Sequence, residues 1–347
     1  MATTHKAIVV QGPGVAKVVA DRPLPQLRDD YILVKTVAVG LNPTDWKHID
    51  HVVTEAGPVC GCDYAGIVEA VGPKVTKPFR VGDRIAGVAH GANVVQPEDG
   101  TFAEYIVVKG DVQIKIPDNI SFEEAATLGI GISTVNQSLY QHLQLAPVSA
   151  PTKKPSNILI YGGSTATGTL AIQYAKLSGY TVVTTCSPRN FDLVRSLGAD
   201  AAFDYADPEC AAKIRNFTNN ELSIVFDTIS VPESVKICSD AIPQTTHGAK
   251  YHALLPVQHV RDDIQSSISF AYTQFGEPFV FGSNQVPAKP EDYSFAVQFW
   301  EEARGLLAAG KIKVHPPRVG NGLDGVLEGL QMMRENRVSG EKLVYKI

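Results

Sequence analysis

The chain has 347 residues, a hydrophobic share of 44%, a charged share of 19% and a formal net charge of −5. That length supports two domains with substantial cores, and the charge balance excludes general nucleic-acid binding, which neutralises phosphates with clustered Lys and Arg. No apolar run reaches the roughly 18 residues of a membrane span, and five cysteines, odd and few, give no disulfide framework and suit the cytosol.

In chain order, Met1-Ala2-Thr3-Thr4-His5-Lys6 leads directly into a strand-like Ala7-Ile8-Val9-Val10, which predicts no secretory signal. The first 120 residues read as β-rich, with short apolar runs at 32–39 and 66–71 between glycine and proline turns. Asn42-Pro43 ends the first run and is expected to present the following residues at a cleft between domains. Ser121-Phe122-Glu123-Glu124 has the form of a capping box, and its helix is expected to continue through Ala125, Ala126, Thr127 and Leu128 towards Tyr140.

A loop at 146–155 then hands the chain to Asn157-Ile158-Leu159-Ile160-Tyr161-Gly162-Gly163-Ser164-Thr165-Ala166-Thr167-Gly168. An apolar strand, a turn of small residues and a helix without bulky side chains at its start hold a nucleotide pyrophosphate through backbone N–H groups and the helix dipole. The phosphates are expected on the backbone of Ser164, Thr165, Ala166 and Thr167, with Gly168 allowing helix to pack on sheet. The spacing fits G-x-G-x-x-G only with Thr165 at the middle glycine, so a plain strand-to-helix turn is the alternative.

The next apolar run ends in Cys186-Ser187-Pro188-Arg189-Asn190. An NAD site usually carries Asp or Glu at this strand end to bind the ribose hydroxyls. With a guanidinium and no carboxylate, Ser187, Pro188, Arg189 and Asn190 suit a 2′-phosphate, so NADPH is preferred over NADH. Strands and helices alternate from 158 to about 254, which predicts a doubly wound parallel sheet. Leu254 and Leu255 end its fifth strand, where backbone groups face a nicotinamide. The tail carries a helix from Pro290 through Leu307, another from Leu323 to Met333, and a strand at 342–345. It is expected to rejoin the first domain and bring Val338 and Ser339 over the nicotinamide. The division expected is 1–144 with 288–347 for one domain and 145–287 for the nucleotide-binding domain.

Cys60 and Cys62, with His48 and His51 upstream, suggest zinc by residue type. Their spacing argues against it: Cys60-x-Cys62 places two side chains on one strand face, whereas structural sites use longer spacers and a second pair. The cysteines read as buried small hydrophobes, and no metal is expected.

Several segments in order, Asn42-Pro43-Thr44-Asp45-Trp46-Lys47, Gly61-Cys62-Asp63-Tyr64-Ala65-Gly66-Ile67-Val68, Val81-Gly82-Asp83-Arg84-Ile85, Gly100-Thr101-Phe102-Ala103-Glu104-Tyr105 and Gly340-Glu341-Lys342-Leu343-Val344, resemble the zinc-free medium-chain dehydrogenases/reductases over essentially the whole chain. Within that superfamily, Asp45-Trp46-Lys47, Ser164-Thr165-Ala166-Thr167-Gly168, Cys186-Ser187-Pro188-Arg189-Asn190-Phe191-Asp192 and Phe203-Asp204-Tyr205 look most like the fungal stand-alone enoyl reductases. These serve highly reducing polyketide synthases, alone or fused to peptide synthetase modules. The zinc alcohol dehydrogenases of the superfamily carry Cys where this chain has Asn42, His where it has Cys62, and a four-cysteine lobe absent here.

The resemblance implies a β-rich GroES-like catalytic domain beside a Rossmann domain, NADPH as cofactor, and reduction in trans of an α,β-unsaturated acyl thioester on a polyketide synthase acyl carrier domain. It also implies a monomer. Thr44, Asp45, Trp46 and Lys47 would face the cofactor, and Tyr205 would contact its phosphorylated ribose unless it is a core tyrosine. Lys47 would orient the cofactor, stabilise an enolate or relay a proton, the alternative being an ion pair with Asp45 or Asp50. The small residues Gly129, Ile130, Gly131, Ile132, Ser133, Thr134, Val135 and Asn136 would leave room for an acyl chain. Tyr272, Thr273, Gln274, Phe275 and Gly276 would form a pocket wall, with an ordinary core segment as the alternative. An acidic carrier calls for a basic rim, assigned to Lys74, Lys77, Arg80, Lys153 and Lys154. The rival readings are a free-standing quinone or enone reductase and a non-catalytic NADPH-binding protein.

Overall fold

The computed structural model describes residues 3–154, 156–258 and 261–347. Met1, Ala2 and Pro155, which fall in the N-terminal and loop expectations, lie outside the described residues. The chain divides into two compact units, Met1–Ser133 with Tyr272–Ile347, and Thr134–Ala271.

The first unit is β-rich. A seven-stranded sheet runs in the order Pro317–Asn321, Lys342–Lys346, Tyr31–Gly40, Asp63–Val71, Arg84–Val88 and Gln113–Lys115, with Tyr105–Lys109 also paired to Tyr31–Gly40. Thr4–Gly12 and Val15–Pro23 form a separate hairpin. Bulges between Tyr31–Gly40 and Asp63–Val71 curve the sheet around a core that includes Ile8, Val34, Tyr64, Val68, Ile85 and Ile106. The tail rejoins this unit through Lys342–Lys346, as expected.

Ser121 caps its helix as expected: its Oγ accepts the Glu124 N–H at 3.1 Å, and Glu124 Oε2 accepts the Ser121 N–H at 2.8 Å. The helix does not continue, however. It covers Phe122–Ala125, the chain turns, and a new helix forms over Gly129–Val135, followed by a π-helical stretch Asn136–His142. At the break, Thr127 O accepts from Lys342 Nζ at 3.2 Å and the Ile130 N–H donates to Asp63 Oδ1 at 2.7 Å. Tertiary partners satisfy groups that a continuous helix would have paired internally.

The second unit holds six parallel strands, Asn157–Tyr161, Thr181–Thr185, Ala201–Phe203, Ile224–Asp227, Lys250–Ala253 and Gln265–Ile268, in the spatial order third, second, first, fourth, fifth, sixth. Ile158, Leu159, Ile160, Val182, Val183, Val225 and Phe226 are all buried. These unbroken apolar runs suit strands covered on both faces. Gly179 (φ +89°) and Gly198 (φ +108°) follow the ends of the helices Ala166–Leu177 and Phe191–Ser196. In such a sheet the order reverses beside the first strand, and ligands bind outside the carboxyl ends of the strands at that point.

The seams fall at 133/134 and 271/272, where the sequence placed them at 144/145 and 287/288. Asn136–His142 packs against Gln265–Ile268 within the second unit. In the first unit, Tyr272 stacks on His90 with ring centroids 4.0 Å apart.

Candidate cofactor and active site

The turn after the first strand of the second unit, the candidate phosphate loop, is tightly packed against the sheet. Gly162 has φ +82°, and a Cβ there would lie 2.5 Å from Thr228 Oγ1. A Cβ on Gly163 would lie 2.0 Å from Thr184 Oγ1, and one on Gly168 would lie 2.3 Å from Gly162 O. Thr165 needs no glycine, because its backbone is extended (φ −75°, ψ 159°) and its side chain is the N-cap of Ala166–Leu177, accepting the Gly168 N–H at 2.9 Å. The first-turn N–H groups of Ala166 and Thr167 remain without intrahelical partners. Ser164, Thr165, Ala166 and Thr167 are all half-buried. A helix start with free donors and no bulky side chain fits a pyrophosphate.

Sequence reasoning missed what supports this loop. Thr228 Oγ1 donates to Tyr161 O at 2.8 Å and lies 3.1 Å from Thr165 Oγ1. Asp227 ends the fourth strand, fully buried, where its Oδ1 accepts the N–H groups of Ile229 and Ser230 at 2.9 Å each. Ser230, at φ +60°, accepts the Leu254 N–H on Oγ at 2.8 Å. Leu254 is half-buried and Leu255 exposed, both in the bend after Lys250–Ala253, so the fifth strand stops two residues before its expected end. An acidic residue closing an apolar strand was the available signal.

At the neighbouring strand end, Ser187 Oγ and Tyr205 OH lie 3.1 Å apart. Tyr205 is 45% exposed, which answers the alternative of a core tyrosine. Pro188 and Arg189 are exposed on a single helical turn, Pro188–Asn190, while Asn190 is buried. Arg189 makes no ion pair among the described residues. Ser187, Arg189 and Tyr205 thus offer two hydroxyls and a guanidinium in one short region.

In the first unit, Pro43–Lys47 forms a short helix whose Asn42 N–H donates to Asp45 Oδ2 at 2.7 Å. Asp45 is only 3% exposed, and burial pushes its carboxyl up to about 7. It therefore serves the turn instead of presenting a carboxylate to a ligand. Trp46 and Lys47 are half-buried, with Lys47 Nζ 5.7 Å from the Trp46 ring centroid. Arg334 grips Asp50 at 2.7 and 2.8 Å, and Lys47 forms no ion pair among the described residues. Burial alone lowers the Lys47 pKa, so the expected alternative of a surface ion pair does not hold.

Thr44 Oγ1 lies 2.8 Å from Tyr272 OH, and His48 Nδ1 donates to the Thr44 carbonyl at 2.8 Å. Tyr272, Thr273, Gln274 and Phe275 are each 5% exposed or less, and Gly276 is half-buried. Tyr272 and Phe275 line a small cavity with His90 and Phe279, while Thr273 and Gln274 are buried beside them. Of the eight residues assigned to the acyl chain, only Ile130 is half-buried and Gly129, Gly131, Ile132, Ser133, Thr134, Val135 and Asn136 are buried. A Cβ on Gly129 would sit 2.4 Å from Asp63 Oδ1, so packing requires that glycine. Val338 is half-buried against the core and Ser339 exposed, in the loop after the helix Gly322–Arg334.

The basic rim needs one correction. Lys77 is half-buried, donates to Gln113 O at 3.0 Å and has its pKa lowered to about 8 by burial. Lys74 is exposed but pairs with Asp29 at 3.0 Å. Arg80, Lys153 and Lys154 are exposed.

Comparison with known proteins bears on the family and the fold. Residues 28–118 match the family model described as the alcohol dehydrogenase GroES-like domain, and residues 166–251 match the model described as zinc-binding dehydrogenase. The side chains present do not fit that metal. Among the described residues, no group of three or more His, Cys, Asp or Glu is placed to hold one. Lys342 Nζ donates to Asn42 Oδ1 at 2.9 Å and to Asp63 Oδ2, which places an ammonium between these two side chains.

A crystal structure of an alcohol dehydrogenase superfamily protein from Novosphingobium aromaticivorans superposes with a TM-score of 0.80 at 23% identity, covering 99% of this chain and 100% of that one. The trans-enoyl reductase resD of Aspergillus sclerotiorum is 49% identical over 99% of this chain and 100% of its own length. The trans-enoyl reductase TOXD of Cochliobolus carbonum is 56% identical over 83% of this chain and 95% of its own. With 49% identity over 99% of its length to resD and a match of residues 28–118 to the GroES-like model, the chain belongs to the trans-enoyl reductase family.

Proposed function

We propose that this chain reduces the α,β-double bond of an acyl thioester carried by a polyketide synthase acyl carrier domain, with NADPH as reductant. It is an oxidoreductase of the enoyl reductase class, in keeping with its relatives. The observation that carries the cofactor assignment is the start of Ala166–Leu177, whose Ala166 and Thr167 N–H groups have no intrahelical partner, on a turn that Gly162, Gly163 and Gly168 pack tightly against the sheet. NADPH, when bound, supplies the hydride that adds to the β-carbon. Ala166 and Thr167 N–H groups bind the pyrophosphate, and Ser187, Arg189 and Tyr205 bind the 2′-phosphate.

In the first unit, Lys47 offers an ammonium with no competing carboxylate, able to stabilise negative charge developing on the thioester oxygen or to deliver a proton to the α-carbon. Thr44 is held by Tyr272 and Asp45 by Asn42, so they position the lysine's helix. Leu254 and Leu255, after the fifth strand of the second unit, are proposed to face the nicotinamide. Arg80, Lys153 and Lys154 are the exposed cations available to an acidic carrier. The five cysteines are all free, which supports a reducing, cytosolic setting. Phe279–Phe281 is taken up in a hairpin with Asn284–Val286, which supports a monomer.

The test is to present an enoyl group on a purified carrier domain with NADPH deuterated at the transferred position. A saturated carrier-bound product labelled at the β-carbon is expected. An unchanged enoyl carrier beside rapid turnover of a simple quinone would move the assignment to a free-standing reductase.

A further inference from the structure

The buried pair Lys342 and Asp63 is not absorbed by the cofactor chemistry. Their side chains are 3% and 0% exposed. Lys342 Nζ spends its three N–H groups on Asp63 Oδ2, on Asn42 Oδ1 at 2.9 Å and on the Thr127 carbonyl at 3.2 Å. Asp63 then uses its other oxygen, Oδ1, to accept the Ile130 N–H at 2.7 Å. One ion pair thereby holds the helix break from both sides, its carbonyl end by the ammonium and its first-turn donor by the carboxylate.

The surrounding backbone leaves no slack. A Cβ on Gly129 would meet Asp63 Oδ1 at 2.4 Å and Gly87 O at 2.5 Å, and one on Gly40 would meet Ala126 O at 2.1 Å and Lys342 Cε at 3.2 Å. Glycines at 40 and 129 let residues 126–130 settle directly on the strands that carry Gly40, Asp63 and Lys342. A buried ion pair seldom stabilises a fold better than apolar packing would, because desolvation offsets the attraction. Its distinctive effect here is geometric: it sets where the helix Gly129–Val135 starts and in which rotation Ile130 is presented.

We propose that Lys342 and Asp63 are positioning residues for the acyl substrate, acting through the first turn of Gly129–Val135. This rests on the reading that Ile130 and its helix face the acyl group. The pair touches neither substrate nor cofactor phosphates, so its removal is expected to change thioester recognition and to spare NADPH binding.

The experiment compares the full chain with D63N/K342M, which removes both charges together, with K342R and with I130W. Thermal melting, NADPH affinity by fluorescence, and kcat and KM with an enoyl pantetheine thioester are measured for each. For D63N/K342M the account expects KM to rise at least fivefold with NADPH affinity within twofold, and for K342R a KM within threefold of the parent. Amide exchange in the single variant D63N provides a second readout should the double variant not fold. The peptide covering 129–135 is expected to exchange at least tenfold faster, with 157–161 unchanged. A folded double variant with the parent's KM, an equal loss of NADPH affinity, or unaltered exchange at 129–135 would overturn the proposal. I130W separates the two layers: an unchanged KM there contradicts the acyl-facing reading itself, whereas a raised KM in I130W beside a normal one in D63N/K342M contradicts only the positioning role.

Discussion

Thr165 accepts the Gly168 N–H on its side-chain oxygen at 2.9 Å, and this bond accounts for a threonine at the middle position of a dinucleotide-binding turn. The hydroxyl removes one orphan donor of the helix start and leaves those of Ala166 and Thr167 for phosphate. Thr165→Ala is expected to lower stability by about 1 kcal/mol, measured by urea denaturation without cofactor, and to weaken NADPH binding. Unchanged stability would show that the cap contributes nothing.

Gly168→Ala tests the cradle more severely. The added Cβ would lie 2.3 Å from Gly162 O and 2.8 Å from Gly163 Cα, both backbone atoms unable to rotate away. A stability loss of roughly 1–3 kcal/mol and at least a tenfold weaker NADPH titration are expected. Parent-like binding would place the phosphates elsewhere.

Arg189→Ala addresses cofactor choice. A charge-assisted bond to phosphate contributes about 1.5–3 kcal/mol, so the KM for NADPH is expected to rise by about 10–100-fold while that for NADH stays constant. Equal changes for both cofactors would contradict a 2′-phosphate role.

Asp45 makes stability depend on pH. Its folded pKa, raised to about 7 from 3.8 by burial, means that the folded chain keeps a proton the unfolded chain has lost across that interval. Asp45 therefore makes stability fall as pH rises from about 4 to about 7, by at most on the order of 4 kcal/mol. Asp45→Asn cannot ionise. Its unfolding free energy between pH 5 and pH 8 is expected to decline less than the parent's, and parallel curves would contradict the assignment.

Lys47→Met is expected to lower kcat by roughly 10–100-fold with NADPH affinity within threefold. The lowered pKa predicts an alkaline limb in the parent rate profile below the ordinary lysine value of 10.5. Lys47→Arg is expected to move that limb upward. Parent-like kcat in Lys47→Met would leave proton supply to water.

The strand, turn and helix around the candidate phosphate loop were legible because their determinants are local: an apolar strand, two adjacent glycines and a helix entry of small residues lie within twelve consecutive positions. The strand end before Ser187 and Arg189 was legible for the same reason. The broken helix after Ala125 was not, since its causes, Asp63 and Lys342, are supplied from distant strands. The partners of Tyr272, the Thr44 hydroxyl and the His90 ring, were not legible, because aromatic density in sequence carries no information on what distant segments pack against it. Lys77 looked like rim charge until its Nζ was found turned inward onto Gln113 O.

The most direct measurement follows NADPH oxidation by the purified chain with an enoyl pantetheine thioester, against a simple quinone, with NADH as control. The account predicts faster turnover of the thioester than of the quinone, and with NADPH than with NADH. Preference for the quinone, or NADPH binding without turnover of either substrate, would contradict it.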